Sequence, residues 1–276
     1  MTPIERIQKA HGIVGRNSEL GMALAVLASA RHLLLEGPVG VGKTTVALAV
    51  CGHLGRATIR VDGDDRYSES KLTGWFDPSL VLKVGFSEDA FIAGPLIEAM
   101  RDGAVLFINE LNRMPEAVQN VLLPALDEGL LIVPRIGIVN AAPGFQVVAT
   151  QNPAEYIATG HLSEALKDRF EHVALGYQSL EEEVAIVAGV TGSDDRDLVE
   201  AAVAITRATR SDARFKKGAS VRAAIAMVEI ASQLSGPDAL DRAAAAALPT
   251  RVEMHDATED GFAETVAELV TGLKKN

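Results

Sequence analysis

A glycine-rich loop at residues 37–45 is the feature that most constrains the fold of this chain. It follows the apolar run 32–35, precedes the helical pattern 46–50, and reads Gly37-Pro38-Val39-Gly40-Val41-Gly42-Lys43-Thr44-Thr45. In the spacing G-x-x-x-x-G-K-[ST], backbone N–H groups point at an anion and the next helix adds its positive N-terminal end. The pattern therefore predicts a phosphate-binding loop between a strand and a helix, and with it the binding of a nucleoside triphosphate.

Three residues at the end of this loop have expected roles. Lys43 is expected to reach the β- and γ-phosphates, and Thr44 to place its hydroxyl on Mg²⁺. Thr45 continues into the helix and closes the predicted nucleotide-binding segment. A chance glycine turn is the alternative, but the complete spacing between a strand-like and a helix-like segment argues against it.

The composition is that of a globular protein. The 276 residues are 48% hydrophobic and 23% charged, which is ordinary for one or two domains. No apolar run approaches the roughly 20 residues that span a bilayer, and the N-terminus lacks a signal-peptide pattern, so we expect a cytoplasmic protein. The net charge of −11 argues against a broad nucleic-acid surface. The single cysteine, Cys51, is expected to be a small core residue.

The order of the predicted elements indicates two domains. Strand-like runs alternate with helical patterns in the first part of the chain, and helical patterns alone follow from Ser179 onward. This order predicts an α/β domain with a parallel sheet over residues 1–177 and an all-helical domain over residues 178–276. The strands predicted for the sheet are 32–36, 57–62, 104–108, 145–150 and 171–175.

Two β-hairpins are predicted within the α/β domain. The first joins residues 81–84 to residues 90–93, and the second joins residues 130–133 to residues 136–139. Each pair consists of short apolar runs separated by residues that favour turns. We expect these hairpins to lie outside the central sheet.

Capping residues predict where several helices begin. Asn17 or Ser18 is expected to cap the first long helix, and Ser163 a short helix through Arg169, because their side chains can accept an orphan backbone N–H. Pro115 fits the first turn of a helix predicted over residues 115–128, since its missing N–H has no partner there.

Polar residues follow the buried strand-like run 104–108. Glu110 is placed to orient or deprotonate an attacking water at the end of a strand beside the phosphate loop, and a solvated strand end is the alternative. Asn109 stands where the usual magnesium-side residue is Asp. An amide carries no charge, although its oxygen can accept from a magnesium-bound water. We therefore expect Thr44 and Asn109 to form the metal side of the site, which is the part that faces Mg²⁺. Asn109 should retain Mg²⁺ more weakly than Asp would at this position.

The ordered set of motifs resembles AAA+ ATPases of the MoxR group. The likeness covers nearly the whole chain and includes both hairpins, at the positions where that group inserts them. It implies a P-loop AAA+ core with a parallel five-stranded sheet, a C-terminal helical lid, and ATP and Mg²⁺ as ligands. The motifs after the loop are Leu106-Phe107-Ile108-Asn109-Glu110-Leu111-Asn112-Arg113, Ala149-Thr150-Gln151-Asn152-Pro153 and Leu166-Lys167-Asp168-Arg169-Phe170.

The resemblance implies roles for two residues that would contact the phosphates. Asn152 looks like sensor 1, an amide that bonds the γ-phosphate or the lytic water, and a turn residue before Pro153 is the alternative. Arg222, in a predicted first helical turn, resembles sensor 2, which closes the lid on the γ-phosphate. A cation in that turn is disfavoured by the helix dipole, which favours a functional partner for it.

Three further assignments also rest on the resemblance. Arg169 matches the arginine finger that reaches into the nucleotide of a neighbouring subunit, and Arg113 is a second candidate. A guanidinium suits this role because it carries a permanent charge in a planar fork, and a surface ion pair is the alternative for either residue. Ile13 and Val14 stand where the group holds the adenine, and core packing is their alternative.

The implied function is that of a motor driven by ATP hydrolysis. The resemblance implies a homo-oligomeric ring, expected to be a hexamer, that remodels or matures a protein client in a chaperone-like manner. MoxR-like proteins commonly act with a von Willebrand factor A domain protein, and that partner rests on the resemblance alone. Aromatic residues cluster near the first hairpin, and we expect about half to be packing residues and any exposed ones to be candidates for contact with the client or a partner: Trp75, Phe76, Phe86 and Phe91.

Two other functions remain open. A nucleic-acid translocase is disfavoured by the acidic balance and by the absence of a Lys/Arg-rich tract. A nucleotide-dependent assembly switch with little hydrolysis is motivated by Asn109. ATP is expected rather than GTP, because the chain has no [NT]-K-x-D tetrapeptide.

Overall fold

The computed structural model describes residues 1–153, 162–255, 261 and 264–269. The chain divides into two compact units. The first unit comprises residues 1–11, 16–38 and 42–176, and the second comprises residues 12–15, 39–41 and 177–276. None of the helices in the described part of the chain is long and apolar enough to cross a membrane.

Strands and helices alternate in the first unit, and helices predominate in the second. The strands are β1 (His32–Glu36), β2 (Thr58–Asp62), β3 (Gly74–Phe76), β4 (Phe91–Ala93), β5 (Val105–Asn109), β6 (Leu130–Val133), β7 (Gly137–Asn140), β8 (Gln146–Gln151), β9 (Phe170–Ala174), β10 (Phe215–Lys217) and β11 (Glu253–Met254). The helices are α1 (Pro3–His11), α2 (Asn17–Ala28), α3 (Lys43–His53), α4 (Glu69–Thr73), α5 (Pro78–Val84), α6 (Pro95–Asp102), α7 (Glu116–Asn120), α8 (Leu122–Asp127), α9 (Glu164–Lys167), α10 (Leu180–Thr191), α11 (Arg196–Ser211), α12 (Val221–Ala231) and α13 (Ala239–Ala247).

A five-stranded sheet forms the centre of the first unit. Its order is β2-β5-β8-β1-β9, and every pairing is parallel. The inner strands are covered on both faces, so residues 33–35, 105–108 and 147–149 are continuous apolar runs with almost no exposed surface. The predicted parallel five-stranded sheet is confirmed, and its strands all end at the same edge.

The first hairpin differs from the prediction. β3 pairs antiparallel with β4, with Phe76 opposite Phe91, whereas residues 81–84 lie in helix α5. Asp77 accepts hydrogen bonds from the N–H groups of two following residues, and Pro78 occupies the first helical position. Both features favour the start of a helix. The assignment of residues 81–84 to a strand was therefore wrong.

The second hairpin is confirmed, and the helix predicted before it is divided. β6 pairs antiparallel with β7, from Leu130 opposite Asn140 onward. The segment predicted as one helix over 115–128 forms α7 and α8, which meet at Val121. Pro124 has no N–H to donate to the carbonyl four residues earlier, so the helical hydrogen bonds are interrupted there.

Helix α2 begins without either of the side-chain caps that were expected. Asn17 is the first helical residue, and Arg16 precedes it in the left-handed conformation, with φ of 61°. The side chain of Asn17 instead accepts a hydrogen bond from Gln8 at 2.7 Å. Ser163, by contrast, caps α9 by accepting from the N–H of Leu166 at 3.2 Å, which confirms that prediction.

Helices α10 to α13 form the second unit around their own core. A capping box starts α10, in which Ser179 and Glu182 satisfy each other's backbone N–H groups. The unit is not all-helical, because β10 and β11 form a short antiparallel pair closed by Lys216 and Glu253 at 2.5 Å. Strands of two or three residues are too short to produce a periodic signal in the sequence. In the predicted last helix, residues 264–269 are helical, and the remaining positions lie largely outside the described residues.

Cys51 is part of the core, as the sequence predicts. Its side chain is 1% exposed in α3. Burial raises the pKa of the Cys51 thiol to about 12. The thiol is therefore neutral in the folded chain near pH 7 and is a poor nucleophile.

We expect the buried inner strand β5 to contribute strongly to the stability of the first unit. Leu106→Ala removes a side chain with no exposed surface and should lower the free energy of unfolding by about 2–5 kcal/mol. Leu82→Ala makes the same change at a side chain that is 89% exposed and should change it by no more than about 0.5 kcal/mol. Urea denaturation of both variants gives the comparison, and equal losses would contradict the assigned core.

Candidate functional site

The glycine-rich loop holds a buried ammonium group. Lys43 is only 8% exposed, and its Nζ donates to the carbonyl oxygens of Gly37 at 2.6 Å and Pro38 at 2.8 Å. Gly42 has φ of 91° and would suffer strain with any side chain. The loop thus closes around the ammonium group and turns directly into α3, whose first residue is Lys43.

The N-terminus of α3 has the properties of an anion-binding site. No side-chain cap satisfies its first N–H groups, and no acidic residue lies in its first turn. The first N–H groups of a helix point away from it without an intrahelical acceptor, and with the positive end of the helix dipole they favour an anion at such a position. The buried Lys43 is the first residue of this helix. The backbone of the helix and the lysine side chain therefore both favour a negatively charged ligand.

A hydrogen-bond network joins α3 to three strands at the carboxyl edge of the sheet. The Asn109 Oδ1 accepts from the hydroxyls of Thr44 at 2.8 Å and Thr150 at 3.1 Å, and its Nδ2 donates to Asp62 at 2.9 Å. The backbone N–H of Glu110 donates to the Thr150 hydroxyl at 2.9 Å. The network forms because Asp62 and Asn109 are register partners in β2 and β5, and β8 is the next strand.

Two members of this network, Asp62 and Thr150, were not assigned a role from the sequence. Asp62 ends β2, and Thr150 is fully buried near the end of β8. Both could have been recognised in the sequence as polar residues at the carboxyl ends of predicted strands. What the sequence lacked was the strand order, which places both residues beside Asn109.

Asp62 also pairs with Arg60 on its own strand. The guanidinium lies 2.7 Å from the Asp62 carboxylate, and both side chains are about half exposed. Hydrogen bonds from Arg60 and, to a smaller extent, from Asn109 hold the pKa of the Asp62 carboxyl below its ordinary value. The carboxylate is therefore ionised at neutral pH and acts only as an acceptor.

Glu110 has an unusual backbone conformation. Its φ of 58° lies in the left-handed region, which a non-glycine residue rarely adopts, and Gly63 packs so closely that an added Cβ would lie 2.1 Å from the Glu110 carbonyl oxygen. The Glu110 carboxylate pairs with Arg113 at 2.8 Å. A strained acidic residue at a strand end is typical of functional sites.

Asn152 and Arg169 occupy different environments in the first unit. Asn152 is 3% exposed directly after β8, and its carbonyl accepts from Asn112 at 3.4 Å. Arg169 forms a two-bond pair with Asp127, at 2.9 and 2.6 Å. This hydrogen bonding lowers the pKa of the Asp127 carboxyl and raises the pKa of Arg169. The planar guanidinium is thereby held in one orientation at the surface.

The remaining candidates lie in the second unit. Val14 and Ile13 are half-buried, and the carbonyl of Val14 accepts from Gln178 at 2.6 Å. Arg222 is exposed in the first turn of α12. Within this unit, a Cβ added to Gly40 would lie 2.3 Å from the Ser220 hydroxyl, so Gly40 packs against the start of α12.

The polar oxygen atoms at this edge of the sheet suit a hard cation that brings further ligands of its own. The Thr44 hydroxyl, the Asn109 amide and the carboxylates of Asp62 and Glu110 are the kind of groups that Mg²⁺ prefers. The described residues contain no group of three or more His, Cys, Asp or Glu side chains that could hold a metal by themselves. One hydroxyl, one amide and two carboxylates are compatible with a magnesium ion that keeps waters or phosphate oxygens as its other ligands.

Comparison with known proteins identifies the family. The profile of the AAA domain, dynein-related subfamily, matches residues 32–170. The chain belongs to this family. The match begins at β1 and ends at the start of β9, so it contains the phosphate loop, the Asn109 network and Arg169.

Curated relatives confirm the resemblance to the MoxR group. The chain is 30% identical to gas vesicle ATPase GvpN of Haloferax mediterranei over 77% of its length, but spans only 64% of that protein. It is 33% identical to protein NorQ of Paracoccus denitrificans over 66% of its length and 67% of the relative. The chain is thus an AAA+ protein of the GvpN and NorQ type.

Solved structures confirm the fold. A putative ATPase from Cytophaga hutchinsonii matches with a TM-score of 0.52 at 22% identity, covering 99% of this chain and 94% of that one. NtrX from Brucella abortus in complex with ADP matches with a TM-score of 0.56 at 20% identity, covering 82% of this chain and 52% of that one. The P-loop AAA+ core with a helical C-terminal region is therefore established.

Thr150 should be required to hold the network together. Thr150→Val keeps the shape but leaves the Glu110 N–H without the hydroxyl acceptor it has at 2.9 Å. A fully buried donor left in this way costs about 1–3 kcal/mol of folding free energy, and this partly buried one should cost an amount near the lower end. Thr150→Ser retains the hydroxyl and should lose less of the free energy of unfolding. Urea unfolding of the two variants separates these outcomes, and a stable Thr150→Val protein would show that the network is dispensable.

Proposed function

We propose that this chain binds ATP with Mg²⁺, hydrolyses the γ-phosphate bond and uses the energy to remodel a protein client. The observation that carries the proposal is the Thr44–Asn109 hydrogen bond of 2.8 Å. It links the helix after the phosphate loop to the strand that ends at Asn109, directly before Glu110. A cation-side hydroxyl and a carboxylate capable of activating water are thereby held by adjoining elements, as triphosphate hydrolysis requires.

Each group in the first unit would have one task. The Lys43 ammonium would exchange its carbonyl partners for phosphate oxygens, and the Thr44 hydroxyl would face the cation. Glu110 would accept or orient the attacking water, and Asn152 would bond the γ-phosphate or that water. Mg²⁺, when bound, would neutralise charge on the phosphates and orient them.

Arg169 supports a ring in which chains complete one another's sites. Its guanidinium is held by Asp127 in a planar, two-bond arrangement, and the ion pair is partly exposed. Water screens the attraction between two partly exposed charges of this kind. A phosphate on a neighbouring chain could therefore replace Asp127 as the partner. We propose a homo-oligomeric ring, a hexamer, with Arg169 as the finger.

Exposed apolar residues around the first hairpin support a protein client. Trp75 is 48% exposed and Phe86 is 51% exposed, whereas Phe76 and Phe91 are half-buried and pack in edge contacts. Arg135 of the second hairpin lies 3.6 Å over the Phe86 ring. Apolar surface of this kind is typical of protein-binding sites. A partner with a von Willebrand factor A domain belongs to this proposal through the MoxR relationship.

A second candidate function is a nucleotide-dependent assembly switch with little hydrolysis. The Glu110 carboxylate is paired with Arg113 at 2.8 Å, and Asn109 supplies no negative charge to the metal side. Either feature would slow the activation of water while leaving nucleotide binding intact. Turnover measured on the assembled protein distinguishes the switch from the motor.

The first prediction for this function concerns Glu110. Glu110→Gln should abolish ATP turnover, by at least about 100-fold, while ATP binding is kept, because the amide cannot take a proton from water. Glu116→Gln removes an exposed carboxylate nearby and should leave turnover unchanged. ATP hydrolysis and equilibrium binding would be measured for both.

The opposite results for Glu110 have clear meanings. Wild-type protein that binds ATP and assembles without turnover would favour the switch. Equal turnover of wild type and Glu110→Gln would remove Glu110 from the mechanism. If Glu110→Gln instead keeps ATP binding and loses turnover, the proteins that it retains in ATP would identify the client.

The second prediction concerns Arg169. Arg169→Ala should lose hydrolysis but keep ATP binding, and wild-type activity per chain should rise with protein concentration. Mixing the inactive Arg169→Ala and Glu110→Gln chains should restore part of the turnover, because each Glu110→Gln chain still offers its finger to an intact neighbouring site. Arg101→Ala breaks a comparable exposed pair with Glu88, at 2.7 Å, and serves as the control.

A finger that acts within its own chain predicts different behaviour. Turnover would then be independent of concentration, and the mixture of inactive chains would stay inactive. Either result, together with normal oligomer formation, would rule out the proposed role between chains.

A further inference from the structure

The hydrogen bonds around Asn109 have a fixed direction. A carboxylate can only accept, so Asp62 must receive the Nδ2 of Asn109, as the contact of 2.9 Å shows. The Oδ1 of the same amide is then turned toward Thr44 and Thr150. Thr150 already accepts from the backbone N–H of Glu110, so its hydroxyl proton also points to Oδ1. The hydroxyl protons of Thr44 and Thr150 are thereby both directed at Oδ1.

The orientation of the Asn109 amide decides whether the lone pairs or the proton of the Thr44 hydroxyl face a bound cation. With Oδ1 as its acceptor, the Thr44 proton points at Asn109, and the hydroxyl lone pairs stay available to a cation. If the amide were reversed, Nδ2 would face Thr44, and the hydroxyl would have to accept. The proton of the Thr44 hydroxyl would then point away from Asn109, toward the position of the cation. A proton in that position would repel Mg²⁺. An aspartate at this position would need no such orientation, because both its oxygens accept.

The charge of Asp62 is not what matters most here. Asp62 is paired with Arg60 at 2.7 Å, and the two side chains are 59% and 45% exposed. Water screens such a pair, and the two charges offset each other. The hydrogen bond to Asn109 is directional and is not offset in this way.

We propose that Asp62 is a positioning residue for the metal side of the site: its contact with Asn109 sets the direction of the amide and so turns the lone pairs of the Thr44 hydroxyl toward Mg²⁺. The inference rests on the proposed binding of ATP with Mg²⁺ and adds a residue that the sequence motifs did not include. It explains how an amide performs, at this position, the task of a carboxylate.

The proposal predicts that the importance of Asp62 depends on the residue at 109. Asp62→Ala removes the acceptor and lets the amide reverse, so Mg²⁺ binding should weaken. In an Asn109→Asp background there is no amide for Asp62 to orient. The Asp62 carboxylate instead lies beside the carboxylate introduced at position 109. There, Asp62→Ala should leave Mg²⁺ binding unchanged or strengthen it.

The experiment measures the Mg²⁺ concentration that half-saturates binding of a fluorescent, non-hydrolysable ATP analogue to the full chain. Asp62→Ala should raise this concentration about tenfold in the wild-type background, the size expected when a residue that orients a metal ligand is lost. The same change in the Asn109→Asp background should not raise it. A double-mutant cycle over the two positions isolates their coupling.

Three control variants separate orientation from other effects. Asp65→Ala removes an equal charge from the exposed turn after β2 and should have no effect. Arg60→Gln combined with Asp62→Ala should still show the rise, which excludes a released Arg60 charge as its cause. Asp62→Asn keeps the shape, and its amide can turn either its oxygen or its nitrogen toward Asn109. It should therefore raise the half-saturating Mg²⁺ concentration by less than Asp62→Ala does.

The outcomes are distinguishable. A rise that is the same in both backgrounds, or no rise in the wild-type background, would overturn the role of Asp62 while ATP binding stands. An analogue that fails to bind the wild-type chain at any Mg²⁺ concentration would overturn the proposed function, and this inference with it. A rise confined to the Asn109 background would establish the inference.

Discussion

Parallel pairing of β2, β5 and β8 is the constraint on which the rest of the site depends. Parallel strands buried on both faces carry apolar residues along their length, so polar residues are confined to the strand ends. Because the ends of parallel strands meet at one edge, Asp62, Asn109 and Thr150 lie side by side. The phosphate loop leaves the same edge from β1. One geometric rule therefore brings together residues from four strands.

The groups at this edge differ in how tightly they are held. Lys43, Thr150 and Asn152 are buried, and buried polar groups are retained only when their hydrogen bonds are satisfied. Arg113, just after β5, instead pairs with the partly exposed carboxylate of Glu110. Arg169 lies at the opposite edge of the sheet, before the start of β9, where it pairs with Asp127. This edge of the sheet thus combines buried, hydrogen-bonded groups with an arginine, Arg113, whose ion pair is exposed to solvent.

Several elements followed from local sequence, and several did not. The second hairpin and the cap of α9 were predicted because short apolar runs, turn residues and a capping serine act within a few positions. The first hairpin was misplaced because the apolar run 81–84 fits a strand or a helix equally well, and the helix start at Asp77 decided between them. The pair β10 and β11 joins segments far apart in the chain, which local patterns cannot reveal.

The sequence by itself determined the phosphate loop, the parallel sheet and the positions of Asn109 and Glu110 at a strand end, because these depend on spacing and on apolar periodicity. Only the tertiary structure decided that Asp62 and Thr150 contact Asn109, and in which direction the protons of that network point. Strand order and register join residues that are 47 and 41 positions apart. Hydrogen-bond direction then depends on which of those neighbours can only accept, and no motif encodes that information.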